Sequence, residues 1–221
     1  MIQLKHVNKY FFKGQSREVH ALRDISLQIQ QGEFVALSGS SGCGKTTLLN
    51  AMGVLDNIDS GEIYLNNKEI SHLDAKEKTN IRLYEVGFVF QAYNLIPVLS
   101  VKENISFIMK MQNIDQQQIQ NRVQELAKIL QIEDKLELLP SRLSGGQQQR
   151  VAVARAVATK PKIILADEPT ANLDSKNSKA LMDMMRELNQ KENITIVFAS
   201  HDEMVVNAVD KVIRLDDGKL V

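Results

Sequence analysis

Apolar and polar residues alternate with period two along IQLKHVNKY, near the start of the chain, and again along ISLQIQ (25–30), as in strands with one buried face. EFVALSG (33–39) is a continuous apolar run closed by glycine, the pattern of a strand buried on both faces. GKTTLLNAMG takes helical spacing with Gly53 as its stop, and GEIYLNN and VGFVF add short strands. From Ser100 to Ala158 the pattern turns helical. Ser100 to Glu103 form a capping box ahead of NISFIMKM, and Ile119, Val123 and Leu126, with Ile129 or Leu130, make one apolar face of DQQQIQNRVQELAKIL. Leu138, Leu139 and Pro140 interrupt this region. KIILAD and ITIVFAS then read as buried strands, each followed by a polar turn and a helix, and KVIRLDDGKLV as a hairpin on an Asp-Gly turn. The methionines of LMDMMREL (181–188) read as core packing. The sum is an α/β core with a helical insertion.

Composition narrows the function classes. The chain has 221 residues, with Lys+Arg and Asp+Glu balanced at 27 each, so no global charge draws it to nucleic acid. A single cysteine forbids an internal disulfide and fits a reducing compartment. MIQLKHVNKYFF lacks the apolar core of a signal peptide, and no apolar run approaches the ~18 residues that span a bilayer. Work at a membrane would need a separate membrane subunit.

The strongest chemical motif is GSSGCGKTT, comprising Gly39, Ser40, Ser41, Gly42, Cys43, Gly44, Lys45, Thr46 and Thr47, between a strand and a helix. It matches G-x-x-x-x-G-K-[ST], in which a curled backbone points N–H groups at phosphate oxygens. Lys45 supplies charge to the β and γ phosphates, Thr46 a hydroxyl to Mg²⁺ and Thr47 a contact to the α-phosphate. Cys43 reads as a small residue tolerated in the loop. IILADEP ends an apolar run in Asp167 and Glu168. Adjacent carboxylates at the tip of a buried strand require compensation by a cation or a proton, and Mg²⁺ is that cation if Asp167 points at the P-loop. Glu168, one residue on, is then placed to polarise an attacking water as general base.

A second anion-friendly element is LSGGQQQR (143–150), where a serine N-cap and two glycines open a helix. It has no lysine and is not a complete site by itself.

P-loop, then LSGGQ, then ILADEP, in that order, resemble the ATP-binding-cassette ATPases over essentially the whole chain. The resemblance implies a P-loop NTPase (RecA-like) core with an antiparallel β subdomain and an inserted α-helical subdomain. Residues 1–90 and 159–221 would form the core, and 91–158 the helical part carrying the signature. It implies ATP and Mg²⁺ as cofactors. Gln91 matches the glutamine that senses Mg²⁺ or the lytic water, Asp174 in ANLDS the D-loop aspartate, and His201 the switch histidine at the γ-phosphate. Phe11 is the expected adenine-stacking residue, in place of the usual tyrosine. Ser144, Gly145, Gly146 and Gln147 would complete the site of a second copy, so that two chains sandwich two ATP molecules. The other implied partner is an integral membrane permease, met partly by AYNLIPVLSVKEN, with the chain peripheral on the cytoplasmic face of the membrane and no nucleic acid expected. FFKGQSREVHALRDIS, VGFVFQAYNLIP and DEPTANLDS are similar to the subgroup of lipoprotein-release, macrolide-export and cell-division ATPases, which transmit force to a permease. Family members acting in translation or DNA repair are the alternative. The former usually carry two cassettes in one chain and the latter a long coiled coil, whereas no sustained heptad separates Thr47 from Leu143.

Overall fold

The structure is a computed structural model describing residues 1–221. The chain opens with strands β1 (Ile2–Phe11), β2 (Val19–Ile29) and β3 (Phe34–Ser38). Helix α1 (Lys45–Met52), strands β4 (Ser60–Leu65) and β5 (Lys68–Glu69), helix α2 (Ala75–Tyr84) and strand β6 (Val86–Val89) come next. Three helices follow, α3 (Val101–Met111), α4 (Gln116–Ile129) and α5 (Gly145–Val157). The remainder is β7 (Ile163–Asp167), α6 (Ser175–Glu192), β8 (Thr195–Ala199), α7 (Glu203–Ala208) and the hairpin β9 (Lys211–Asp216) and β10 (Lys219–Leu220). No helix is long and apolar enough to cross a membrane.

The strands divide into a 4-stranded antiparallel sheet, β2-β1-β4-β5, and a 6-stranded sheet, β10-β9-β3-β8-β7-β6, parallel except for its terminal hairpin. The apolar runs that lacked alternation become the parallel strands, because both of their faces are covered. Along β3, Phe34 faces one core and Val35 and Leu37 the other; along β8, Ile196 and Phe198 oppose Val197 and Ala199. One core holds 30 buried residues and takes in α3 to α7; the other holds 24 and joins the antiparallel sheet to α1. The helical region therefore shares a core with one face of the parallel sheet. Leu181, Met182, Met184, Met185 and Leu188 lie in that same core.

Two elements depart from the sequence pattern. Strand β2 begins at Val19, well before the alternation of ISLQIQ, because its pairing with β1 runs through register shifts between Leu4 and Tyr10 that break the period. Helix α2 has no apolar stripe to announce it. Only Ile81 is buried, and the helix is fixed by a capping box between Asp74 and Glu77.

Helix α4 is tied to α6 by an ion pair that is almost wholly buried. Arg122 makes a two-pronged contact with Glu192 at 2.7 and 2.8 Å, and also donates to the last carbonyls of α5, Val157 at 2.9 Å and Ala158 at 3.2 Å. Glu192→Ala removes two charge-assisted hydrogen bonds from that guanidinium, leaving Glu125 at 2.9 Å as its carboxylate partner, and is expected to cost about 2 kcal/mol of stability. The readout is a lower urea midpoint with an unchanged slope; a midpoint equal to that of the parent would show that water replaces the carboxylate freely.

Candidate functional site

The carboxyl ends of the parallel strands converge on one cleft, the place where open α/β sheets bind ligands. Strand β3 delivers the loop 39–44, β6 delivers Gln91, β7 delivers Asp167 and Glu168, and β8 delivers His201. The loop needs its glycines for two distinct reasons. Gly44 has φ 107°, and a Cβ there would meet the Ala21 carbonyl at 2.7 Å. At Gly39 a Cβ would lie 2.2 Å from the Leu215 carbonyl. The buried Lys45 ammonium donates to the carbonyls of Gly39 at 2.8 Å and Ser40 at 2.9 Å, which hold it at the mouth of α1. Cys43 is buried behind the loop, and its carbonyl accepts from the Gly218 N–H at 3.0 Å.

Thr46 and Asp167 meet across the cleft, the Thr46 hydroxyl donating to the carboxylate at 3.0 Å. Burial pushes the Asp167 carboxyl above its ordinary range and the neighbouring Glu168 charge adds to this, while the Thr46 hydrogen bond and Lys45 pull the other way. Glu168 takes a left-handed backbone, φ 45°, rare for a residue with a side chain. Its N–H donates to the Ala199 carbonyl at 2.9 Å. The Ser200 hydroxyl lies 3.2 Å from one carboxylate oxygen and His201 Nδ1 2.7 Å from the other. The strained backbone and this pair of contacts aim the carboxylate into the cleft.

The cleft brings together Phe11, Ser41, Gly42, Gly44, Lys45, Thr46, Thr47, Gln91, Asp167, Glu168 and His201. Phe11 lines it with an exposed ring, whereas Tyr10 stacks on His20 with centroids 3.9 Å apart and an interplanar angle of 13°. Two sets of lining residues were missed in the sequence: Val19, His20 and Ala21 of β2, and Asp217 and Gly218. The latter form the β9–β10 turn, both with positive φ, as a type I′ hairpin requires. DDG announced the turn; nothing local announced that it backs the P-loop.

The signature residues lie outside this cleft. Exposed Ser144 N-caps α5, its hydroxyl accepting from Gln147 N at 3.3 Å while Gln147 Oε1 accepts from Ser144 N at 2.9 Å. The first N–H groups of α5, on Gly145 and Gly146, have no partner within the helix. Asp174 is also outside, as the N-cap of α6. Hydrogen bonds from Asn177 hold its carboxyl below the usual range.

A curled glycine loop between strand and helix, a lysine at its end and a carboxylate facing its threonine define a P-loop nucleoside-triphosphate-binding protein. The family profile described as ABC transporter matches residues 22–171. MJ0796 of Methanocaldococcus jannaschii was solved as a dimer in a post-hydrolysis state bound to ADP and Pi. It is 40% identical, with a TM-score of 0.91 over 100% of this chain and 96% of that one. The macrolide export ATP-binding/permease protein MacB of Aggregatibacter actinomycetemcomitans is 39% identical over 100% of this chain, which spans 34% of MacB. The methionine import ATP-binding protein MetN of Vibrio vulnificus is 38% identical over 100% of this chain and 64% of its own length. The chain belongs to the ABC transporter family, as one of its ATP-binding, ATP-hydrolysing subunits.

Proposed function

We propose that two copies of this chain close on two ATP molecules, each copy lending its signature turn to the cleft of the other, and that this closure drives a separate membrane permease from the cytoplasmic face. The observation that carries the reading is the separation within one chain. Lys45, Thr46, Asp167, Glu168 and His201 share a cleft, while Ser144 and the open N–H groups of α5 point elsewhere. A helix N-terminus without a lysine makes half a phosphate site, which a second P-loop completes.

Within each cleft, Phe11 stacks on the adenine ring, the backbone of 39–44 and Lys45 hold the phosphates, and Thr47 touches the α-phosphate. Thr46, Asp167 and Gln91 offer a hydroxyl, a carboxylate and an amide, oxygen donors suited to Mg²⁺. A cation would also compensate the buried Asp167 carboxyl. When bound, Mg²⁺ neutralises charge on the β and γ phosphates. Glu168 accepts the proton of the attacking water, oriented by Ser200 and His201. Asp174 and Gln147 sit on the surface that the twin covers. Loss of the γ-phosphate removes the contact to Ser144, Gly145 and Gly146 and loosens the pair. Residues 91–158 form the part that moves with the signature and meets the permease.

Complementation tests the shared site. Lys45→Ala and Ser144→Arg chains, each inactive alone, are expected to regain ATPase activity when mixed, because the mixed pair holds one site with an intact P-loop and an intact signature. No recovery in a mixture shown to form mixed dimers would count against sharing.

The permease proposed is of the macrolide-export and lipoprotein-release kind, supported by the likeness to MacB over the whole chain. The likeness to MetN favours an import permease as the second reading. Co-purification separates the two: a four-helix permease with a large extracytoplasmic domain supports the first, and a many-helix channel the second.

A further inference from the structure

Between Gln91 and α3 the chain makes a turn that neither the nucleotide cleft nor the signature motif explains. Tyr93 and Asn94 are consecutive left-handed residues, with φ 61° and 49°. Asparagine tolerates that region, whereas for tyrosine it is an outlier that surrounding structure must impose. Here α5 imposes it. The Arg155 guanidinium donates to the carbonyl of Tyr93 at 3.0 Å and to that of Asn94 at 2.6 Å. Arg155 has no carboxylate partner; these two carbonyls are what its charge faces. The Gln91 carbonyl is held in turn by the Asn172 amide at 3.1 Å, from the segment that follows Glu168. So fixed, the Tyr93 side chain reaches the other end of α5. A Cβ on Gly145 would lie 2.9 Å from the Tyr93 hydroxyl. Gly145 has no left-handed φ that would demand glycine; the close ring is a reason for its lack of a side chain.

The turn therefore touches α5 twice, at Arg155 and at the signature glycine, and ends in Gln91, which lines the cleft of its own chain. We propose that Tyr93 is a positioning residue whose ring sets the height of the signature turn, and so the half-site that this chain offers to the ATP of a second copy. This rests on the sandwich reading above. The aromatic ring is the rigid spacer, and the Arg155 fork holds the backbone that carries it.

The test uses the full chain carrying Glu168→Gln, and two measurements: the ATP concentration at half-maximal dimerisation, by light scattering, and MgADP affinity, by calorimetry. Tyr93→Ala is expected to raise the first by about tenfold and leave the second within about twofold, the split expected of a residue that touches the signature turn and not its own cleft. Tyr93→Phe keeps the ring and falls between parent and Tyr93→Ala. Arg155→Lys keeps the charge, loses the fork and shows the same split. Unchanged dimerisation in all three variants would overturn the proposal, as would loss of MgADP affinity in step with dimerisation. If Tyr93→Ala does not fold, the other two variants decide it. A Glu168→Gln parent that stays monomeric at saturating ATP would instead strike the sandwich reading itself.

Discussion

Glu168→Gln is expected to lower ATP turnover by ~10²–10⁴-fold, the usual worth of a positioned general base, while ATP still binds and the dimer accumulates. The amide is isosteric and keeps an oxygen to accept from Ser200, which sits 3.2 Å from the native carboxylate. It cannot take a proton from water. It also removes a negative charge beside Asp167, whose carboxyl Glu168 helps to push upward, so affinity for an anionic nucleotide should hold or rise. Phosphate release and gel filtration at saturating MgATP report the two halves. Turnover at the parent rate would remove Glu168 from the proton-accepting role, and a monomer under those conditions would count against ATP as the bridge.

Lys45→Ala is expected to abolish most nucleotide affinity. Its ammonium is buried and held by two loop carbonyls, so the mutation removes a positive charge and leaves those carbonyls without their donor. Ligand stabilisation follows RT ln(1 + [L]/Kd), about 2.7 kcal/mol at a hundredfold excess over Kd. A chain of this size gains roughly 2–4 °C in Tm per kcal/mol, so the parent melts about 5–10 °C higher with MgATP. A hundredfold weaker site leaves about 0.4 kcal/mol at the same concentration, close to no shift. An undiminished shift in the variant would contradict the role given to the lysine.

What the sequence announced and what it hid follow from where each feature is encoded. Lys45, Thr46, Asp167 and Glu168 were legible because their chemistry is written in a few adjacent residues: glycines that permit a loop, and apolar runs ending in charge. The parallel strands were legible because burial on both faces leaves no alternation. Helix α2 was not, since Ile81 alone is buried and its capping box was the only local signal. The cleft walls from Val19 to Ala21 and at Asp217 and Gly218 depend on contacts between distant segments. One is Arg23 N–H to the Gly218 carbonyl at 2.7 Å, another the Arg23–Asp217 ion pair at 2.7 Å. No reading along the chain encodes such a meeting. That Tyr10 stacks on His20 of β2 while Phe11 lines the cleft is of the same kind.

In the proposed sandwich, the ion pair of Arg122 with Glu192 bears on how the signature end would travel. It fastens the rear of α5 through the Val157 and Ala158 carbonyls, while the front of that helix ends in an exposed serine. Thirteen residues of helix make an arm of about 20 Å. A swing of about 10° around the fastened end carries the tip about 3.5 Å, enough to make or break one hydrogen bond. In the proposed sandwich, a rotation of that size at the rear would be enough to engage or release a phosphate of the twin's nucleotide at the front.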